Sequence, residues 1–332
     1  MLETSPTEVD FNDDYDLSLV PAQATEIYGF CPSRLTNKDH FGDLLDELAD
    51  SSLPIAMSLD SRLEQVIWTK LPEETGLENA MIGILTVAEG TSLEFVVEAL
   101  GPKVVDDYAG EASWQELSKQ DPLSFDKNRC FQIVGNETLL IGTWQALEFY
   151  KELGQQPREL EYLAATSRLN KKEHQVFAIA KSMDQKYLTK LTGETTNFRQ
   201  LSPLLKHLLM VTDSEYFGLT LSIEVDRRLE LFSRYRSPAK QAGVSKAMRG
   251  LAESLAELVG SFPVSSERTG EGGVPQLTTI VKTSATTALK EAKLDEPSDQ
   301  VSRLTVSLSE IEPQVQLYIQ EMLGKMASRR AL

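Results

Sequence analysis

Three histidines, His40, His174 and His207, are the only imidazoles in the chain, and they are far apart. No HxxxH or HExxH spacing places two of them on one helix face, so the sequence shows no zinc-hydrolase pattern. Structural roles account for them: His40 and His207 fall in helical patterns and His174 opens a strand. A Ser-His-Asp triad assembles in space rather than in sequence, but the GxSxG elbow that often carries its serine is missing. Ser124 and Lys127 match the SxxK pattern of serine acylases, yet they fall in a polar stretch expected to be a loop. No SDN follows, and Lys282-Thr283-Ser284 lacks the glycine of KTG, so the match reads as coincidence.

Other site types fare no better. Asp10, Asn12, Asp13, Asp14 and Asp16 resemble the start of a calcium loop, but the glycine at its sixth place is missing and Pro21 stands where its glutamate belongs. A solvated acidic tail is the plainer reading. Neither GxGxxG after a strand nor GxxxxGK[ST] occurs, and Gly270, Gly272 and Gly273 sit in a polar, linker-like run before Pro275. Cys31 and Cys130 form no CxxC. They are either two buried thiols or one disulfide. Cys31 ends a first strand and Cys130 begins a later one of the same unit, so a split βαβ arrangement would make the sulfurs neighbours. A bridge would suit an exported protein, and reduced thiols a cytoplasmic one. The sequence thus singles out no catalytic, cofactor-binding or metal-binding residue.

Composition narrows the class. The 332 residues are 41% hydrophobic and 25% charged, ordinary for a globular protein and enough for two domains. A net charge of −17 opposes binding to nucleic acid or anionic lipid. No apolar run approaches the roughly 18 residues of a membrane helix, so no membrane span is expected.

The stretch from Ala80 to Leu100 best displays the architecture. Met81, Ile82, Ile84, Leu85 and Val87 crowd a short run before Gly90, as in a strand buried on both faces. Thr91 and Glu94 then form a capping box for a helix carrying Leu93, Val96, Val97 and Leu100. Before it, Ile27, Tyr28 and Phe30 mark a first strand, Phe41 to Leu48 a helix, and Leu63–Leu71 a half-buried strand. After it come an edge strand at 103–109, an irregular polar stretch at 110–128, and a Cys130–Val134 and Thr138–Gly142 hairpin turning at Gly135-Asn136. Thr143 caps the next helix.

A connecting helix over 158–169 leads to a second pass. Val176, Phe177 and Ile179 form a strand, Leu201–Leu209 a helix, and Phe217 to Ile223 and Arg228–Arg236 two more strands. Ser237-Pro238 opens a helix running to about Val259. Ile27 aligns with Val176, and Ile82 with Leu231, at a shared offset of 149. An α+β fold of two tandem units follows, each a mainly antiparallel sheet with helices on one face. The divisions are an acidic flexible tail at 1–20, units at 21–157 and 158–332, and a flexible insertion at 264–276.

The opening Val20-Pro21-Ala22-Gln23, the MIGILTVAEG strand, the TSLEFVVEAL helix, the NETLLIGTWQAL hairpin and helix, and the closing VSRLTVSLSEIEPQV resemble a family of uncharacterised exported bacterial proteins. The likeness spans most of residues 20–320. It implies two repeated units and an exported or periplasmic location, without catalytic residues to transfer. A non-catalytic binding or scaffold protein of the cell envelope is therefore expected, its partner an unidentified protein or envelope component. The last helix, with Val315, Tyr318, Ile319, Met322 and Met326, offers an apolar stripe that packs on its own sheet or docks a partner. The alternative is a hydrolase that draws an acid–base pair from its 50 Asp and Glu.

Overall fold

The computed structural model describes residues 14–35, 62–72, 80–100, 114–126, 128–153, 169, 173–181, 203–212, 214–222, 227–235, 237–261, 274–298 and 300–309. Its strands are β1 (Glu26–Phe30), β2 (Leu63–Lys70), β3 (Met81–Val87), β4 (Leu123–Asp126), β5 (Arg129–Val134), β6 (Thr138–Gly142), β7 (Val176–Lys181), β8 (Tyr216–Ser222), β9 (Arg228–Arg234), β10 (Lys293–Ser298) and β11 (Val301–Ser307). All eleven join one antiparallel sheet in the order β10-β11-β9-β8-β7-β1-β2-β3-β6-β5-β4. The fold is mixed α+β, with helices on the sheet.

The helices are α1 (Pro32–Leu35), α2 (Glu94–Leu100), α3 (Trp114–Gln120), α4 (Trp144–Leu153), α5 (Pro203–Thr212), α6 (Gln241–Ser261, after a 3-10 turn at Pro238–Lys240) and α7 (Val274–Lys290). Local chemistry sets several boundaries. The Ala146 N–H donates to Thr143 Oγ1, as expected of its cap, and Ser237 Oγ accepts from Ala239. At α2 the Glu94 N–H instead donates to Ser92 Oγ, so Ser92 takes the capping place assigned to Thr91. Gly135 turns the β5–β6 hairpin at φ +72°, a conformation glycine adopts without penalty.

Three strand glycines face large aromatic rings across the ladder. Gly29 pairs with Phe177, Gly83 with Trp68 and Gly218 with Phe232. Each ring lies over its glycine, and a Cβ on Gly218 would also lie 2.7 Å from the Ala178 carbonyl oxygen. Only glycine leaves room there for the ring to lie flat on the sheet.

Both faces of the β1–β6 half are apolar. One holds Ile27, Ile67, Ile82, Ile84 and Leu140, with Ala146 and Leu147 of α4 against them. The other holds Val66, Leu85, Leu139, Phe131 and Ile133 with Val96 and Val97 of α2 and Trp114 of α3. On the β8–β11 half, Val244, Ala247, Met248 and Ala252 of α6 cover one face with Leu304 and Tyr235. The other face of that half carries Thr220, Arg228, Glu230 and Arg303, with Tyr216 and Phe232 of the same face packing into the β1–β6 core.

Several expectations are corrected. Leu63–Lys70 alternates as expected, but its more buried face carries Gln65, Ile67 and Thr69, while Trp68 is only partly buried. Residues 110–128 include α3 and β4, so Ser124 lies in a strand and not a loop; Trp114 and Ser118 bury one face of α3. Val274–Gln276, assigned to the insertion, begins α7. Helices lie on both sheet faces, not one. The offset of 149 fails by one residue in parity. Cross-strand pairing puts Ile27 and Ile179 on one face, and hence Val176 on the other; the same holds for Ile82 against Leu231. The helices expected at 39–49 and 158–169, the 103–109 strand and the last helix lie outside the described residues, apart from the isolated position Leu169.

The acidic tail is the largest correction. Tyr15 and Val20 are core residues, and Leu17 and Leu19 pack against them. The Tyr15 hydroxyl lies 2.8 Å from the His174 carbonyl oxygen and 3.0 Å from that of Gln175. Its ring meets Phe177 edge-on at 4.6 Å. Gln65 clasps the Asp16 backbone, accepting from its N–H and donating to its C=O, each at 3.0 Å. Burial raises the Tyr15 phenol pKa far above its ordinary value, and neighbouring Cys31 adds to this.

The expected closeness of the two cysteines is also overturned. Cys31 follows β1 and Cys130 lies in β5; between those strands are four inter-strand steps, roughly 19 Å at ordinary spacing. Both are free and buried, beyond the roughly 7 Å limit for a bridge.

Two measurements check this packing. Tyr15→Ala is expected to destabilise the chain by about 3–5 kcal/mol and Tyr15→Phe by about 1 kcal/mol, read by urea unfolding. A near-neutral Tyr15→Ala would show that the segment does not dock. The unfolded, unreduced chain is expected to titrate two thiols; a count of zero would mean a bridge and a different strand order.

Candidate functional site

The polar face of β8, β9 and β11 is where charged and hydroxyl side chains gather. Cross-strand pairing places Thr220 opposite Glu230, Glu230 opposite Thr305, and Ser222 opposite Arg228, which in turn faces Ser307. Glu230 is only 7% exposed. Its carboxylate sits 3.2 Å from Arg228 Nε and 3.5 Å from Arg303 Nη1, and accepts from Thr220 Oγ1 at 3.3 Å. Arg303 Nε reaches Asp295 on β10 at 3.6 Å. A buried carboxylate needs such partners, since an unpaired one costs several kcal/mol. Each oxygen of Glu230 already has a partner, so the group acts as the anchor of an ion-pair network rather than as a waiting base.

His174 borders this network. Its Nδ1 lies 3.0 Å from Ser222 Oγ, and its Nε2 lies 3.9 Å from Glu173. A hydroxyl, an imidazole and a carboxylate thus meet, the grouping expected of a hydrolase. The arrangement is closed, however: Ser222 is 1% and His174 6% exposed. A nucleophile needs access to substrate, and this hydroxyl has none. Burial lowers the His174 pKa, with Arg228 and Arg303 adding to the effect while Glu230 and Glu173 oppose it.

The other candidates separate. His207, on α5, lies 3.4 Å from Ser254 Oγ of α6, and its ring occupies the space beside Gly250. There it serves helix packing. His40 lies outside the described residues, as do Lys127, Asp10, Asn12 and Asp13. Ser124 Oγ contacts Cys130 Sγ at 3.4 Å across the β4–β5 pair. Asp16 Oδ1 accepts from the Ser18 N–H, a turn rather than a calcium ligand set. Lys282, Thr283 and Ser284 lie within α7. Among the described residues no group of three His, Cys, Asp or Glu is placed to hold a metal ion. None of their helices is long and apolar enough to cross a membrane.

A second polar network lies on the opposite face. Tyr235 Oη and Ser302 Oγ are 2.6 Å apart, Ser302 and Ser245 also 2.6 Å, and Ser245 Oγ donates to Glu296 at 2.7 Å. Because the carboxylate only accepts, the protons run one way: Tyr235 to Ser302 to Ser245 to Glu296. This ties β9, β11, α6 and β10 together. Sequence reading missed both networks, because their members come from separate strands and helix α6 and meet only in the fold. Alternation does mark Thr220 and Ser222 as sharing a face.

The His174 pKa carries a sign. Below its ordinary value of 6.5 the unfolded imidazole takes up a proton that the folded one resists. The corresponding stability is present above that pH and is lost as pH falls from there toward the lowered folded value, at up to about 1.4 kcal/mol per unit. His174→Gln is expected to lose less stability than the native chain between pH 7.5 and 5.5 in paired urea titrations. Identical losses would place the imidazole in solvent.

Comparison with known proteins adds little. No protein-family model matches the chain. No curated protein matches it. The solved structure of crystal form III of TP0453 is similar over 90% of this chain and 96% of its own, at 10% identity and a TM-score of 0.40, a likeness that fixes no function.

Proposed function

We propose that this chain acts by binding rather than by turnover, as a non-catalytic binding or scaffold protein of the cell envelope. The observation that carries the reading is the closure of the His174–Ser222 pair: the hydroxyl and imidazole that most resemble a catalytic couple are sealed from solvent. Glu230, the buried carboxylate beside them, is already held by two guanidinium groups. These groups hold strands in place. The envelope placement rests on the resemblance of the sequence to exported bacterial proteins.

The same reading takes the two halves, 21–157 and 158–332, as copies of one α+β unit. Outward from the centre, one half runs β1-β2-β3-β6-β5-β4 and the other β7-β8-β9-β11-β10. In both, three strands follow chain order and the next two exchange places, with β4 added at the outer edge of the first half. A two-fold axis through the antiparallel β1–β7 pair would have to pass perpendicular to the sheet and keep each face. The residue offset between copies is then even in each central strand, as in Ile27 with Phe177.

Purified chain incubated with nitrophenyl esters, phosphates and glycosides is expected to give no turnover above its heat-denatured control. A rate that disappears in His174→Ala or Glu230→Gln variants that remain folded would overturn the binding reading and favour a hydrolase.

A further inference from the structure

Where β9 and β10 begin and β11 ends, the sheet holds a cleft of about 350 Å³ lined by Arg227, Arg228, Lys293, Glu291, Thr305 and Ser307. The pairings Arg228 with Ser307 and Lys293 with Thr305 bring cations and hydroxyls into adjacent positions across the ladder. Among the described lining residues Arg227, Arg228 and Lys293 are cationic and Glu291 is a carboxylate, with Arg228 already paired with Glu230. Glu230 lies 3.2 Å from Arg228 Nε on the same strand.

We propose that this cleft binds a small oxyanion, a carboxylate or phosphate monoester, that carries a hydroxyl next to its charged group. Arg and Lys side chains with hydroxyl donors match the oxygens of such a group. Glu291 only accepts hydrogen bonds, so it selects a ligand with its own donor. The volume lies at the small end of ligand sites, about 300–1,000 Å³. The strongly negative chain as a whole repels polyanions, which leaves small anions as the class that fits. This inference rests on the binding reading above and names its ligand class.

Calorimetric titration with glycerol 3-phosphate, glycerate, inorganic phosphate and glycerol tests it. Glycerol 3-phosphate or glycerate is expected to bind saturably, inorganic phosphate more weakly, and glycerol not at all. The first two distinguish a phosphate from a carboxylate site. Lys293→Gln is expected to weaken binding by roughly tenfold. Glu291→Leu, which removes the acceptor, should weaken the hydroxylated ligands relative to inorganic phosphate. Arg228 is left intact because it holds Glu230, and circular dichroism confirms that each variant is folded. No saturable binding of any anion at millimolar concentration, or an affinity unchanged in Lys293→Gln, sinks the cleft proposal and leaves a binding protein whose partner sits elsewhere. Release of phosphate from glycerol 3-phosphate, lost in Lys293→Gln, would overturn the non-catalytic reading while supporting the site.

Discussion

The pairing of β1 with β7 is the constraint on which the rest of this structure depends. Five residues of each strand meet, from Glu26 opposite Ala180 to Phe30 opposite Val176. Without that ladder the sheet would divide into a six-stranded and a five-stranded piece, each with an unpaired edge of the kind that associates with other chains. The joint is short but closely packed. Phe177 lies over Gly29, Tyr15 closes on the edge of Phe177, and its hydroxyl meets the carbonyls that lead into β7. The Cys31 N–H donates to the Gln175 carbonyl at one end, and the Lys181 N–H to that of Thr25 at the other. The contacts span about half the chain, so closing them costs loop entropy before burial rewards it.

The outer strands then follow from two different balances. Around β2, β3 and β6 both faces are apolar, and helices bury them with little need for polar pairing. Around β9 and β11 one face is apolar and the other carries Glu230, Arg228, Arg303 and Thr220. Burying Glu230 there demands counter-charges, and Arg228 of its own strand and Arg303 of β11 supply them. The same arginine that satisfies Glu230 borders the edge cleft, so strand stability and the presentation of positive charge are coupled. The binding role proposed above calls for a rigid surface, and a carboxylate paired with two arginines helps to hold one in place.

Much of this was legible in the sequence. The dense apolar run at Met81–Val87, the Gly135-Asn136 turn and the Thr143 cap are local signals, and local physics was enough to place β3, the β5–β6 hairpin and α4. Other elements were missed for identifiable reasons. α3 and β4 are short and sit among polar residues, and their apolar members, Trp114, Leu117 and Leu123, gain meaning only against Phe131 and its neighbours. Tyr15 is surrounded by Asp14 and Asp16, so composition suggested a solvated tail. Its ring finds Phe177 only in the folded chain.

The sequence by itself determined the strongly patterned segments, such as β3, the β5–β6 hairpin and α4, because hydrophobic period and capping act over a few residues. It also determined that the chain is acidic and lacks a concentrated catalytic motif. Only the tertiary structure decided which strands lie side by side, that helices cover both faces, and that Cys31 and Cys130 stay apart. It alone decided parity as well. A shift of one residue is nearly invisible in an apolar strand such as Val176–Lys181, but in a sheet it turns each side chain to the other face. Glu230 shows the same limit at the level of the site. Nothing adjacent to it in sequence distinguishes it from the other carboxylates except Arg228, and its second arginine, Arg303, arrives from a strand more than seventy residues away. Charges that must be paired when buried find partners across strands, and that choice is made by the fold.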